Sequence, residues 1–384
     1  MGHALKYGMV GGGKGSFIGE VHRKAAAIDR KAELVAGAFS SDPDRAKASG
    51  KELGLADDRC YGSWQEMLEK EAARPEGDRI DFVSIVTPND THHPVAKGCL
   101  EAGFHVVLDK PATHTSAQSD ELIALAESKG LLCCVTYNYT GNAMARQAAE
   151  MVASGELGAI RKVFVEYHQG WLATPLEESG MKQAAWRTDP KKAGLGGALG
   201  DIGSHAENLV HFVTGLEIEQ LACDLTAFVP GRALDDDGSV LLRFSGGAKG
   251  VMTFSQVCVG RANSLTLRIY GEKGGLEWAQ ETPETLVFHN VDGTTKELCR
   301  GGDGVGTRAQ AATRTPAGHP EGYLEAFANI YLGAIETIRA KRGESVDGAL
   351  AKEIPTIADG RRGVRFIELC VESSQAGAQW VDWS

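Results

Sequence analysis

A strand that runs directly into three consecutive glycines and then into a helix constrains this chain more than any other feature. Leu5 to Val10 is apolar and strand-like, Gly11-Gly12-Gly13-Lys14-Gly15-Ser16 follows, and a helix is expected over about 17–28. Bare backbone lets a phosphate approach closely, and the N-terminus of the helix favours its negative charge. Alone, such a cluster also suits a plain tight turn. Its place at the first strand-to-helix turn of an alternating strand–helix series favours dinucleotide binding. Gly11, Gly13 and Gly15 are then expected near the phosphates, with Ser16, Phe17 and Ile18 opening the helix beside them. Three extra residues before Gly19 make this loop longer than the usual G-x-G-x-x-G.

The alternation continues to about residue 139, with further strands expected near 33–39, 81–86, 104–108 and 131–136. Helices are expected between them, one of them opened by Asp42-Pro43 as a cap and a first-turn proline. That pattern predicts a parallel sheet. After Tyr139 long alternating segments joined by hairpin-like turns appear, which predicts an antiparallel sheet. One face of that sheet is expected to be covered by helices and the other exposed, carrying Phe164, Leu267 and Ile269 as an apolar patch that marks a subunit interface. The expected fold is therefore α/β: a parallel-sheet domain over 1–139, then an α+β domain over 140–384 built on a mostly antiparallel sheet. Two stretches, 170–198 and 301–318, read as long loops of the kind that often act as lids or contacts.

At the end of the second strand stand Ser40, Ser41 and Asp42, with Arg45 one turn further on. A 2′-phosphate needs a cation or several donors, and Asp42 would repel it, whereas a 2′-hydroxyl needs one or two neutral hydrogen bonds. The expectation is NAD, with Arg45 leaving NADP open.

Further along, Thr87-Pro88-Asn89-Asp90-Thr91-His92 and Ala102-Gly103-Phe104-His105-Val106-Val107-Leu108-Asp109-Lys110-Pro111 resemble the glucose–fructose oxidoreductase/inositol dehydrogenase (Gfo/Idh/MocA) family. So do Val135-Thr136-Tyr137-Asn138, Gly155-Glu156-Leu157-Gly158, Trp186-Arg187-Thr188-Asp189-Pro190 and Gly200-Asp201-Ile202-Gly203-Ser204-His205. The family signature usually ends Glu-Lys-Pro where this chain has Asp109-Lys110-Pro111, and Thr140 stands where an arginine is common. The resemblance implies an N-terminal Rossmann domain followed by an open-faced, mostly antiparallel sheet that often packs in a dimer or tetramer, reversible oxidation of a sugar or cyclitol hydroxyl by NAD(P), and assembly as a homotetramer or homodimer. By motif position it makes Lys110 the catalytic lysine, Asp201 the substrate-binding aspartate and His205 the catalytic histidine. Thr87, Pro88, Asn89, His92, Asp109, Lys110 and Asn138 become candidate cofactor contacts.

The residue types suit that chemistry. Removing a hydroxyl proton as hydride leaves carbon needs an acceptor that titrates near neutral pH, and histidine is the natural one. Asp201 and His205 are four apart in a helix-like stretch over 201–213, so they share a face. A lysine at the carboxyl end of a parallel strand can stabilise charge on the reacting oxygen. Singly, each has a bland reading: a helix cap, a core histidine, a surface charge. Weaker candidates are Trp186 and Arg187 at the cofactor or substrate, and Tyr139, His168 and His319 at the substrate.

The remaining composition excludes classes. The net charge of −11 without a dense basic block argues against nucleic acid and anionic membrane. No apolar run reaches the length of a membrane span, and the N-terminus has no signal-peptide core. The eight cysteines include no Cys-x-x-Cys pair, which points to reduced thiols in a cytoplasm and to no metal site. The leading expectation is an NAD-dependent dehydrogenase of an inositol or unphosphorylated sugar. The alternatives are an NAD-assisted redox glycoside hydrolase and a nucleotide-sensing protein without turnover.

Overall fold

The computed structural model describes residues 3–383. The chain divides into two compact units, one formed by Met1–Gly141 with Tyr323–Arg361, the other by Asn142–Gly322 with Arg362–Ser384.

In the first unit, β1 (Leu5–Gly11), α1 (Phe17–Ile28), β2 (Ala32–Ala38), α2 (Pro43–Glu52), α3 (Trp64–Ala72), β3 (Phe82–Val86), α4 (His92–Glu101), β4 (His105–Leu108), α5 (Ser116–Ser128) and β5 (Cys133–Val135) follow in order. The strands form a parallel sheet in the order β2-β1-β3-β4-β5. Every residue of β3 and β4 is buried, as expected for strands covered on both faces. Side-chain caps start the helices: Ser16 on α1, Asp42 with Pro43 on α2, Ser63 on α3 and Thr115 on α5. Helix α3, which the sequence reading did not assign, carries its own signal, since Ser63 accepts from the Glu66 N–H and Glu66 accepts from the Gly62 N–H.

The second unit begins with α6 (Ala143–Ala153), β6 (Ile160–His168), α7 (Lys182–Arg187), α8 (Pro190–Ala193) and α9 (Ser204–Thr214). Then come β7 (Ile218–Thr226), β8 (Asp237–Phe244), β9 (Lys249–Ser255), β10 (Ser264–Gly271), β11 (Gly274–Ala279), β12 (Thr285–Asn290), β13 (Thr295–Cys299) and α10 (Thr307–Ala311). Together with β14 (Val381–Asp382) the strands make a nine-stranded sheet, β13-β12-β11-β10-β6-β9-β8-β7-β14, antiparallel throughout except for the parallel pair β6 and β9. Both stretches read as long loops contain short helices, α7 and α8 in one and α10 in the other.

Between these, α11 (Tyr323–Lys341) returns to the first unit, and α12 (Ile357–Gln375) starts in the first unit and continues in the second. The 139/140 division expected from the sequence did not provide for that return. Its cause is packing: α11 buries Phe327, Ile330, Tyr331, Ala334 and Ile335 among Tyr7, Met9, Phe82 and Val107 on one face of the parallel sheet. The other face packs Val83, Ile85, Val106 and Leu108 with Leu68, Val95, Leu100 and Leu122. Cys133 and Cys134 fall in opposite clusters, following the strand alternation.

The open sheet corrects one expectation. Phe164, Leu267 and Ile269 were expected on a common exposed face, but the register pairs Leu267 with Val165 and Ile269 with Val163, so both are buried on the face opposite Phe164. Phe164 lies beneath Lys162 and Arg268, with cation-to-ring distances of 5.1 and 5.3 Å. Arg268 also pairs with Glu166 at 3.0 Å. That face is mixed in charge and polarity rather than a continuous apolar patch. No helix among the described residues is long and apolar enough to cross a membrane, and the eight cysteines are all free.

Candidate active site

In the first unit the strand order reverses its winding between β1 and β3, and such a switch point is where parallel sheets bind ligands. Gly11 closes β1 opposite Val86 of β3. Gly11 and Gly12 have φ of +80° and +71°, and a Cβ on Gly11 would stand 2.8 Å from the Val86 carbonyl oxygen. A Cβ on Gly19 would lie 2.3 Å from the Gly12 Cα, so this pair lets α1 sit directly on the strand end. The Gly13 N–H donates to the Phe39 carbonyl at 3.2 Å, whereas Gly15, φ +79°, faces open space. Ser16 Oγ accepts from the Gly19 N–H at 3.2 Å. The first N–H groups of a helix have no partner within it, and here they belong to Phe17, which is 65% exposed, and half-buried Ile18. Arg23, not singled out in the sequence, braces the loop by donating to the Gly12 carbonyl at 2.5 Å.

At the end of β2, Ser40 Oγ accepts from the Asp42 N–H at 3.2 Å, and Asp42 accepts from the Arg45 N–H at 2.9 Å. The Asp42 carboxylate thus caps α2 while remaining a negative charge at the strand end. Ser41 and Arg45 are exposed.

Just past the strands, Thr87 Oγ1 after β3 and Asn138 Nδ2 after β5 are buried polar atoms that make no hydrogen bond among the described residues. Buried polar groups are almost always satisfied, so an orphan hydroxyl and an orphan donor beyond the strand ends call for partners outside the protein. Both residues were singled out as cofactor contacts, and with the glycine turn and the open N-terminus of α1 they fit a dinucleotide.

His92 behaves differently from expectation. It is fully buried, with Nδ1 2.8 Å from the Pro111 carbonyl and Nε2 3.0 Å from the Thr87 carbonyl. Burial holds its pKa below the ordinary imidazole range, against the pull of Asp109. A neutral imidazole has one N–H, so it donates to one of these carbonyls at a time. Its ring therefore spans the turns that follow β3 and β4. Asp109 accepts from the Lys110 N–H at 2.8 Å and from Thr136 Oγ1 at 3.2 Å. The backbone carrying half-buried Lys110 is fixed from both sides. Pro88 is exposed, Asn89 is buried, and Tyr139 is buried with its ring 6.3 Å from that of Tyr323.

In the second unit Asp201 and His205 stand on one continuous helical segment, but its opening is not α-helical. Leu199–Gly203 forms a π turn ahead of α9, a feature that recurs at functional sites. Asp235, from the turn before β8, holds it by accepting from the Gly197 and Leu199 N–H groups, each at 2.7 Å. Burial pushes the Asp235 carboxyl up to about 6 against those two hydrogen bonds. Nothing in the local sequence pattern marks Asp235 among its neighbours Asp236 and Asp237.

The Asp201 carboxylate accepts from Arg187 Nε at 3.0 Å and from Gln256 Nε2 at 2.8 Å. Arg187 in turn donates from one terminal nitrogen to Gln183 Oε1 at 2.6 Å, and its guanidinium lies 4.3 Å from the Trp186 ring centroid and 5.8 Å from that of Trp171. From Gln256 a chain of amides leads on: to Gln169 at 3.4 Å, from Gln169 to Asn263 at 2.7 Å, and from Tyr167 Oη to the same Asn263 oxygen at 2.7 Å. The Tyr167 ring lies 6.3 Å from that of buried His205. The structure thus brings together Arg187, Trp186, Asp201 and His205. It adds Trp171, Gln169, Gln183, Gln256 and Asn263, which lack any spacing that sequence reading could use.

Two candidates stand apart. His168 follows Tyr167 on β6 and so points to the other sheet face, where its Nε2 lies 3.0 Å from Thr253 Oγ1. Alternation removes it from the His205 side. His319 is exposed in the loop after α10, its ring nitrogen near the Pro316 and Ala317 carbonyls. Among the described residues no group of three or more His, Cys, Asp or Glu is arranged to hold a metal ion.

Comparison with known proteins agrees with this geometry. Residues 5–137 match the model of an oxidoreductase family with an NAD-binding Rossmann fold, and residues 145–277 match the GFO/IDH/MocA C-terminal domain. The chain is 39% identical to an uncharacterized oxidoreductase of Bacillus subtilis, YfiI, over 99% of this chain and 97% of the relative. A crystal structure of an inositol dehydrogenase homolog from Azotobacter vinelandii, complexed with NAD+, superposes with a TM-score of 0.93 at 39% identity, covering 100% of this chain and 98% of that one. A second structure of an inositol dehydrogenase homolog from that organism, complexed with NADH and myo-inositol, gives 0.91 at 37% identity with the same coverage.

Proposed function

This chain belongs to the Gfo/Idh/MocA family of NAD-binding oxidoreductases, and on that premise we propose that it oxidises a secondary hydroxyl of an inositol or unphosphorylated sugar to the ketone or lactone. The substrate class is supported by the inositol dehydrogenase homologs that resemble the chain end to end, one of them complexed with myo-inositol. The observation that carries the reading is the Asp201 carboxylate, fixed by Arg187 and Gln256 one turn before His205, in register with the family motif.

The dinucleotide is held by the Gly11–Gly15 turn and the N-terminus of α1, by Ser40 and Ser41 at the adenosine ribose, and by Thr87 and Asn138 beyond the strands. When bound, NAD supplies the hydride acceptor. Asp42 at the ribose end favours NAD over NADP through its charge. His205 removes the hydroxyl proton as general base. Lys110 donates to the reacting oxygen and stabilises negative charge there. Asp201 accepts from a neighbouring hydroxyl, and Trp186 offers an apolar wall to a ring face. Assembly as a homotetramer or homodimer follows the family resemblance, and light scattering at micromolar concentration tests it against a monomer.

The functional test is NADH formation over a panel of inositols, aldoses and their phosphorylated and acidic derivatives. Turnover of at least one uncharged polyol is expected. Turnover confined to phosphorylated sugars, or none on any polyol, overturns the reading.

A further inference from the structure

Residues 227–236 join the antiparallel pair β7 and β8, a connection longer than the roughly two to five residues typical of a hairpin. Its polar groups reach two other parts of the second unit. Arg232, with its side chain 2% exposed, donates from Nε and one terminal nitrogen to the two Glu177 carboxylate oxygens at 2.9 and 3.1 Å. That same terminal nitrogen donates to the Thr174 carbonyl at 3.0 Å. The other one donates to Asp236 at 3.1 Å, whose carboxylate also accepts from the Phe228 and Val229 N–H groups. Arg232 is thus fixed within its own turn while it grips the chain ahead of α7. Asp235 grips the chain after α8. Its carboxylate accepts from the Gly197 and Leu199 N–H groups, and its carbonyl accepts from the Ala198 N–H at 2.9 Å. The approach is backbone on backbone, since a Cβ on Gly197 would stand 2.2 Å from the Asp235 carbonyl oxygen. The next carbonyl, that of Asp236, accepts at 2.8 Å from the N–H of Gln256, whose side chain holds Asp201.

We propose that the β7–β8 turn is the frame of the substrate site, with Arg232 and Asp235 as positioning residues that act on different sides of it. The proposal rests on the functional reading above, in which Asp201 and Trp186 meet substrate and His205 takes the proton. Arg232 pins the start of the segment that carries Gln183, Trp186 and Arg187. Asp235 pins its end, where the π turn presents Asp201 four residues before His205. Releasing the first end leaves Asp201 bound to Gln256 and the π turn bound to Asp235. What is lost is the placement of Trp186 and Arg187, which weakens ground state and transition state alike and so raises KM. Releasing the second end shifts the segment that carries both Asp201 and His205. A general base displaced by about 1 Å loses rate and not only affinity.

Steady-state kinetics on the best polyol, with NADH titration and thermal melting of each protein, test this. Arg232→Lys keeps a cation beside Asp236 but has no planar fork for Glu177. Its KM is expected to rise about 10-fold with kcat within about 2-fold of wild type. Asp235→Asn keeps the shape but offers one acceptor oxygen to two N–H groups. Its kcat is expected to fall about 10–100-fold with a smaller change in KM. NADH affinity stays at the wild-type value in both, because the dinucleotide is held in the first unit. Glu177→Gln and Gly197→Ala release the same two ends from the opposite side and reproduce the respective patterns, so they decide if either first variant fails to fold. A folded variant with wild-type kcat and KM, the same pattern from both ends, or a fall in NADH affinity alongside turnover overturns the proposal. Wild-type protein that oxidises no polyol sinks the functional reading and the frame with it, whereas unmoved kinetics with intact polyol turnover sink the frame alone.

Discussion

Gly19→Ala sets two opposing effects against each other at a single atom. Gly19 lies in the first turn of α1, where alanine is favoured over glycine by about 0.5–1 kcal/mol from helix propensity. Against that, the new Cβ would sit 2.3 Å from the Gly12 Cα and 2.7 Å from the Gly12 carbonyl oxygen. Both are backbone atoms on a residue with φ +71°, so no flexible side chain can swing aside. Ordinary contact requires α1 to move away from the strand end by about 1 Å, and crowding of this kind costs about 1–3 kcal/mol. Steric crowding wins, and the net loss is about 1–2 kcal/mol, or roughly 3–6 °C in melting temperature for a unit of this size. The same displacement carries the N-terminus of α1 away from the pyrophosphate, a contact of about 1 kcal/mol, so the NADH dissociation constant rises about 5–10-fold. Gly54→Ala is the control: φ there is +78° with nothing within 4 Å of the added atom. It costs about 1–2 kcal/mol through backbone strain alone and leaves NADH affinity unchanged. Thermal melting and NADH fluorescence titration read both variants. A Gly19→Ala protein with wild-type melting and wild-type NADH affinity would refute the reasoning.

Acid lability has a definite sign and source. His22 and His105 are buried and neutral, each pushed down to about 4 by desolvation. Their contribution to stability is full above the unfolded value of about 6.5 and is lost as pH falls toward 4, by about 3 kcal/mol each. Urea midpoints should drop over that window, and His105→Gln should flatten the slope; an unchanged slope counts against the assignment. Arg300 is buried against Glu321 at 3.1 Å and donates to the Thr315 and His319 carbonyls, tying down the loop that precedes α11. Arg300→Ala leaves a buried carboxylate uncompensated and should cost about 3–5 kcal/mol in a denaturation experiment; a loss below about 1 kcal/mol would show the cluster to be superficial. For the cofactor, kcat/KM is expected to be higher with NAD than with NADP, and Asp42→Ala should narrow the difference. A preference for NADP in the wild-type protein would reverse the reading of Ser40, Ser41 and Asp42.

The dinucleotide-binding unit was legible because its signals are local. A glycine turn between strand and helix, and a cap with proline at Asp42-Pro43, act over a few residues, and α1 spans the residues its pattern predicts. What was missed depends on contacts distant in sequence. The return of α11 to the first unit is decided by packing against strands far earlier in the chain, Tyr7 and Met9 among them. The face on which Leu267 and Ile269 lie is decided by register with β6, not by their own apolar character. At the site, family register pointed to Lys110, Asp201 and His205. It did not reveal that Asp201 is held by Arg187 and Gln256, or that Asp235 anchors the π turn beneath it. His92 shows the reverse case, a residue whose place in a motif suggested a ligand contact and whose ring spans two backbone turns instead.

The central claim is that His205 takes the proton from the reacting hydroxyl. The direct measurement is kcat for His205→Ala on the best polyol of the panel, alongside the NADH dissociation constant of the same protein. The account predicts a fall in kcat of about 10²–10⁴-fold, as for loss of a general base, with NADH affinity unchanged. A kcat equal to that of the wild-type protein would contradict it.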